Sequence, residues 1–373
     1  MAAYRRWRLS RSASTASRGL TRYTGAWNIA YEGGGRVGAL ETAIRVCKGV
    51  CTYIPGLYKP KPGTGGTGSA RYCYTVWLRH LIMAARHHLH VPPTTLAELG
   101  PGDSIGIGLA ALLTGVTRYI ALDVVSHAST PRNLQIFDEL TNLFMTRSDL
   151  PGDDEFPKTR PRLESYTFPR AILSEEHLAK ALAKNRVRQI RNAVAALAES
   201  PPVADAMIRY VVPWHEEQVV VENSVDMILS QAVLEHVVSL DHTYRALLSW
   251  LKPSGFMSHC IDFSCHEANI PWNSHWAHSD LVWRLMRGRR PYTLNREPHS
   301  KHVSLMQSLG FHVVCALCTE DRSGLPREAV NRRFARLSDR DWATRNCYVV
   351  AVKPATRSGV PAPSTQPERR GEP

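Results

Sequence analysis

No apolar run of about 18 residues, the length a membrane-spanning helix needs, occurs in the 373-residue chain. The first residues also lack the apolar core of a secretory signal, so none is expected there. Cysteine is sparse, with eight in the whole chain, which excludes a disulfide-built scaffold and fits a reducing, cytoplasmic setting. One C-x-x-C occurs, Cys315 and Cys318, with no second pair to complete a zinc set. It lies in the strand-like run Phe311 to Cys318, where alternation puts the two thiols on opposite faces. Both are therefore read as core residues. The glycine run Gly63-Thr-Gly-Gly-Thr-Gly-Ser69 is not followed by Gly-Lys-Ser/Thr, so it is no P-loop.

Acidic residues are missing from residues 1–31. That absence locates the net charge of +13: residues 1–70 hold 11 Lys/Arg against 2 Asp/Glu. The rest of the chain is close to neutral and requires no polyanionic partner, so no nucleic acid is expected as one. Residues 1–68 read as a basic, largely disordered arm ending in the Gly-rich loop, and 354–373 as a disordered Pro/Ser/Arg-rich tail. An organellar transit peptide is the other reading of the arm.

Between these ends, apolar runs alternate with helical patterns. Ser69 is a plausible N-cap for a helix over 70–88, whose Cys73, Val76, Trp77, Leu81 and Ala84 fall on one face. Strand Thr95–Leu99, helix Ser104–Thr114 and strand Tyr119–Val125 follow. A helical insertion over 126–206 carries a basic helix, Glu175–Glu199, whose Lys180, Lys184, Arg186, Arg188 and Arg191 read as one solvated face. Strands near Ile208–Val212, Asn223–Ser230, Phe256–Phe263, Phe311–Cys318 and Asn346–Lys353 complete seven. The pattern predicts an α/β fold: a doubly wound, Rossmann-like sheet, mostly parallel with a last antiparallel strand, in a three-layer sandwich.

Four pieces of sequence carry chemistry. They are Glu98-Leu-Gly100-Pro-Gly102, Asp123 at the end of the next strand, Asn223 through His236, and Leu251-Lys-Pro-Ser-Gly255. In this order they resemble the class I S-adenosylmethionine-dependent methyltransferases, especially the broad type 11 group, over roughly 95–130, 205–262 and 300–353. The resemblance makes 69–353 the methyltransferase domain and S-adenosyl-L-methionine the cofactor. It implies that Glu98, Gly100, Gly102 and Ser104 form the turn at the methionine portion. There glycines let backbone approach a ligand, and a helix N-terminus favours a carboxylate. It likewise implies that Asp123 accepts from the ribose, that Pro213 and Trp214 flank adenine, and that Ser230 and Gln231 meet the methionine portion. Arg71 or Tyr72, on the helix before the first strand, could reach the methionine carboxylate. Ser104 stands where the family has its third small residue, and a serine can cap the helix instead. A dinucleotide fingerprint is excluded by Ile105. Some related O-methyltransferases hold a metal with Glu-x-x-Glu-His. Here the first of those positions is Ala232, so Glu235 and His236 are read as packing groups and no metal is expected.

The segment 264–299 is crowded with Trp272, His275, Trp276, His278, Tyr292 and Arg296. It reads as an acceptor-side insertion, with a compact packed subdomain as the alternative. Asp262 and His266, at the end of a strand on the ligand edge, are the candidate catalytic bases. The reading is an enzyme, a methyltransferase working by O-methylation on a small molecule or glycan. The alternatives are an RNA or protein methyltransferase whose basic arm holds the substrate, and a non-catalytic binding module built on the cofactor fold.

Overall fold

The computed structural model describes residues 38–57, 66–197, 205–214, 217–265, 270–290 and 293–355. Seven strands form one sheet: β1 (Thr95–Leu99), β2 (Arg118–Leu122), β3 (Ile208–Val211), β4 (Val225–Gln231), β5 (Leu251–Asp262), β6 (His312–Glu320) and β7 (Thr344–Val352). Their spatial order is β3-β2-β1-β4-β5-β7-β6. β3, β2, β1, β4 and β5 run parallel to their neighbours, while β7 is antiparallel to both β5 and β6. The expected doubly wound sheet with its antiparallel last strand is thus observed.

Alternation along the strands sorts two cores to the two faces. Leu96, Tyr119, Met227, Leu229, Phe256, Cys315, Tyr348 and Val350 join one cluster. Ala97, Leu99, Ile120, Ile228, Met257, Cys347 and Val349 join the other. The first face is covered by α2 (Ala70–Arg86), α3 (Gly106–Leu113), α4 (Thr130–Met145), α5 (Glu175–Ala181) and α6 (Lys184–Ala196). The second is covered by α7 (Leu240–Trp250) and α9 (His299–Ser308). Ser69 caps α2 by accepting from the Tyr72 amide, and the expected apolar stripe of that helix is buried.

The insertion is part of the first core, not an appendage. Ile136, Phe137, Leu140 and Phe144 of α4 and Ile190 and Val194 of α6 are buried there. The stretch expected as one basic helix breaks into α5 and α6 at Leu182. Its charges are held locally: Lys180 pairs with Glu176 and Arg191 with Asp138. Arg186 donates to the carbonyls of Leu112 and Val116, where a cation suits the orphan oxygens of a helix end.

Among the described residues, three helices were not foreseen, the short Asp339–Ala343 and two longer ones. α1 (Ala39–Val50) lies inside the stretch read as a disordered arm, and α8 (Asp280–Arg287) lies inside 264–299. They pack together so closely that a Cβ on Gly49 would stand 2.0 Å from the Leu285 carbonyl oxygen. The arm's charge count hid the helical spacing of Leu40, Ala43, Ile44 and Cys47. The remainder of the arm and the tail from 356 lie outside the described residues. Among those described, no helix is long and apolar enough to cross a membrane.

Candidate active site

Parallel strands deliver their loops to one edge, and ligands bind where the order of connection reverses. Here that point is β1, with β2 on one side and β4 on the other. The loop leaving β1 turns through Gly100 at φ +62° and Gly102 at φ +73°, conformations that glycine adopts without a Cβ penalty. A Cβ on Gly100 would stand 2.6 Å from the Val233 side chain, so the loop after β4 closes directly on the loop after β1.

Backbone hydrogen bonds tie the predicted residues into one unit. Gly100 N donates to Leu122 O at 2.8 Å, and Trp214 N donates to Asp123 O at 3.1 Å. Gly102 N donates to Asp123 Oδ2 at 3.2 Å, and Val124 N to Asp123 Oδ1 at 2.7 Å. Asp123 is buried, which raises its carboxyl above the usual range; the three amides of Val124, Gly102 and Val125 oppose that rise. Trp214 is half-buried, edge-on to Trp250 at 5.5 Å, with Pro213 exposed beside it. Ser230 pairs with Leu99 across the sheet, which brings the end of β4 to the glycine turn. Its hydroxyl contacts His259 Nδ1 at 2.8 Å, and Gln231 Oε1 meets His80 Nε2 at 3.3 Å.

Three sequence expectations are corrected. Glu98 does not face the crevice. Alternation turns it with Leu96 into the first core, where Tyr119 OH donates to it at 2.5 Å. Burial pushes its carboxyl up to about 8, against the opposing bonds of Tyr119 and the Gly108 amide. Glu98 therefore fastens β1 to β2 and α3. Ser104 does not head α3; that position is Ile105. The Ser104 hydroxyl accepts from Gly106 N and donates to Thr67 O, while Ser104 N donates to Thr67 Oγ1 and Ile105 N to Asn133 Oδ1. The amides expected to greet a carboxylate are satisfied within the protein. Arg71 is turned outward and held by both oxygens of Glu155, at 2.8 and 2.6 Å.

Tyr72 packs edge-on to Phe156 at 5.4 Å. Asp262 ends β5, half-buried, its Oδ1 accepting from Ser264 N at 3.0 Å and Ser264 Oγ at 2.5 Å. His266 and Tyr292 lie outside the described residues.

The crowded segment is largely packed. Trp272, Asn273, His275, Trp276, His278 and Arg296 are buried. Trp276 stacks on Phe334 at 5.7 Å, and Arg296 lies over Trp283 and Phe334, each at 5.1 Å. Trp272, Trp276 and Phe334 belong to the core on the second face of the sheet, so the segment is packed, as in its alternative reading, but onto the sheet and not as a separate subdomain. One group was undervalued. Glu235, in the turn after β4, is buried, and its carboxyl oxygens make no hydrogen bond of normal geometry among the described residues. Burial raises it well above the carboxylate range, and the neighbouring Asp262 charge acts in the same direction. The signal was an acid inside Val233-Leu234-Glu235-His236-Val237. Thr67 and Asn133, which hold the start of α3, carried no sequence signal.

No family model matches the chain, and no curated protein matches it. Solved structures similar to it include an S-adenosylmethionine-dependent methyltransferase from Mesorhizobium loti. It is 14% identical, with 77% of this chain and 100% of that one covered, at a TM-score of 0.35. Another is phosphoethanolamine N-methyltransferase 2 from Haemonchus contortus in complex with S-adenosyl-L-methionine, at 13% identity, 74% and 53% coverage and a TM-score of 0.36. A third is a SAM-dependent methyltransferase from Methanosarcina mazei, at 10%, 73% and 97%, and 0.37. The strand order and the antiparallel last strand are those of the doubly wound, Rossmann-like sheet expected from the sequence.

Proposed function

We propose that the chain is an S-adenosylmethionine-dependent methyltransferase that O-methylates a small molecule or glycan. The observation that carries the reading is the bonded unit of Gly102, Asp123 and Trp214 at the switch point of the sheet. It offers a buried acid for ribose hydroxyls, an aromatic face for a base, and a turn that passes through two positive-φ glycines. These residue types fit the cofactor. Asp123 keeps one acceptor position, on Oδ2, beyond its three amide bonds, since a carboxylate accepts about four. Ser230 and Gln231 would border the same crevice from β4.

When bound, S-adenosylmethionine supplies the activated methyl group. The protein's part is alignment and proton removal. Asp262 is the group for the second task. Its Oδ1 is engaged by Ser264, which leaves Oδ2 to accept a hydroxyl proton from the acceptor. His266 is the second candidate base. Arg71 could reach the cofactor carboxylate only after releasing Glu155, whereas Tyr72 has no such tie. The pairing of the insertion's basic side chains supports a small-molecule or glycan acceptor over a nucleic acid.

The test is a panel of hydroxylated small molecules and glycans incubated with methyl-labelled cofactor, followed by mass analysis of products. Labelled ether products support the reading, with Asp262→Asn lowering turnover while leaving cofactor affinity intact. Folded protein with no affinity for the cofactor or its demethylated product would sink it.

A further inference from the structure

On the second face of the sheet, away from the glycine turn, β6 and β7 bring two thiols together. Cys318 and Cys347 are direct cross-strand partners, and their sulfurs stand 3.0 Å apart. Cys347 is fully buried and Cys318 half-buried. His299, the first residue of α9, closes over them, with its ligand atom and both sulfurs within 4.8 Å of one another. Cys315, the other member of the C-x-x-C, faces the opposite core, as alternation along the strand implied. The true neighbour, Cys347, is 29 residues further on.

We propose that Cys318 and Cys347 are a peroxide-reactive pair that closes to a disulfide, with Cys318 attacking and Cys347 resolving. Directly opposed residues of an antiparallel pair have Cα atoms about 4.5–5.5 Å apart, inside the range of about 4.4–6.8 Å that a disulfide spans. Cys347, His299 and Arg340 all favour the Cys318 thiolate and hold it below the ordinary thiol range despite burial. Cys347 is pushed upward by the same neighbour and stays protonated. A half-buried thiolate beside a resolving thiol is the arrangement that oxidises selectively.

The steps balance. The Cys318 thiolate attacks hydrogen peroxide; an S–O bond forms, the O–O bond breaks, and hydroxide leaves with a Cys318 sulfenic acid remaining. Cys347 sulfur then attacks Cys318 sulfur; the S–S bond forms, the S–O bond breaks, and water leaves with the Cys347 proton. The cysteines lose two electrons and the peroxide gains them. Zinc is the competing occupant of two thiols and an imidazole. Thiolates on one tetrahedral zinc stand about 3.8 Å apart, given Zn–S bonds of about 2.3 Å. Here the sulfurs are closer, the ligands number three, and Arg340 places a positive charge beside Cys318.

The test uses the full-length reduced chain with dilute hydrogen peroxide, quenched by alkylation at intervals and mapped by peptide mass. The expected product is a Cys318–Cys347 linked peptide pair, two hydrogens lighter and reversed by dithiothreitol. It should form on the order of ten-fold faster than oxidation of Cys73 or Cys315. In Cys347→Ser, dimedone should trap a sulfenic acid on Cys318. Oxidation of Cys318 no faster than of Cys73, or linkage to another cysteine, would overturn the proposal. Stoichiometric zinc released on alkylation would also overturn it, in favour of a metal site. The mapping on the unsubstituted chain decides the matter even if Cys347→Ser does not fold.

Discussion

The Gly102 amide donates to Asp123 Oδ2 over 3.2 Å. The turn after β1 and the acid after β2 are therefore one structural unit. Removing the acid should loosen the turn as well as lose the proposed ribose acceptor. Asp123→Ala should weaken binding of S-adenosylhomocysteine by on the order of 10–100-fold, the usual worth of a hydrogen bond to a charged group. Isothermal titration calorimetry measures it, and a native-like circular dichroism spectrum should accompany the loss.

Gly100→Ala meets two penalties. The backbone is at φ +62°, and the new methyl would stand 2.6 Å from Val233. A loss of about 1–3 kcal/mol is expected from the backbone alone. Val233→Ala in the same chain should recover the contact penalty and leave the backbone one. Chemical denaturation of the single and double variants separates the two.

Glu98 gives stability a pH dependence of known sign. Its carboxyl is raised from 4.5 to about 8 in the folded protein. Below 4.5 both folded and unfolded forms carry the proton, and its contribution is complete. As pH rises to about 8 the unfolded chain ionises first, and stability falls across that window. Glu98→Gln should flatten this limb of the stability–pH curve. An unchanged slope between these values would mean that Glu98 is ionised in the fold.

Arg79 anchors the loop between α4 and α5 to α2. Its side chain is fully buried, donating to Thr159 O at 3.1 Å and Pro161 O at 2.8 Å, with Asp153 at 3.3 Å. Arg79→Met strands the Pro161 carbonyl, while Thr159 O keeps Arg160 and Asp153 keeps Tyr166 and Arg162. The expected cost is about 1–3 kcal/mol, that of one buried acceptor left without a donor. Hydrogen exchange should show the loss concentrated in residues 151–166.

Sheet and glycine turn were legible because both are local. Alternation gave all seven strands, and Gly100, Gly102 and Asp123 sit where glycine and acid spacing put them. What was hidden depends on contacts between distant segments. Glu98 has the position of a ligand-facing acid, and only the pleat reveals that it faces Tyr119, 21 residues away. Asn133 holds the start of α3 from another helix, and nothing near it in sequence marks that role. The density of Trp and His in 264–299 suggested a pocket, yet Trp276 stacks on Phe334 and packs at a tilt against Trp342. Aromatics serve core and ligand alike, so composition alone could not separate them.

β7 lies between β5 and β6, although it is the last strand made. Until Thr344–Val352 is inserted, both neighbours present open edges, one of them on the 12-residue β5. Assembly of this half of the sheet is consequently a late, all-or-none event. A chain interrupted before residue 344 would expose two hydrogen-bonding edges at once, a form prone to pair with another copy of itself.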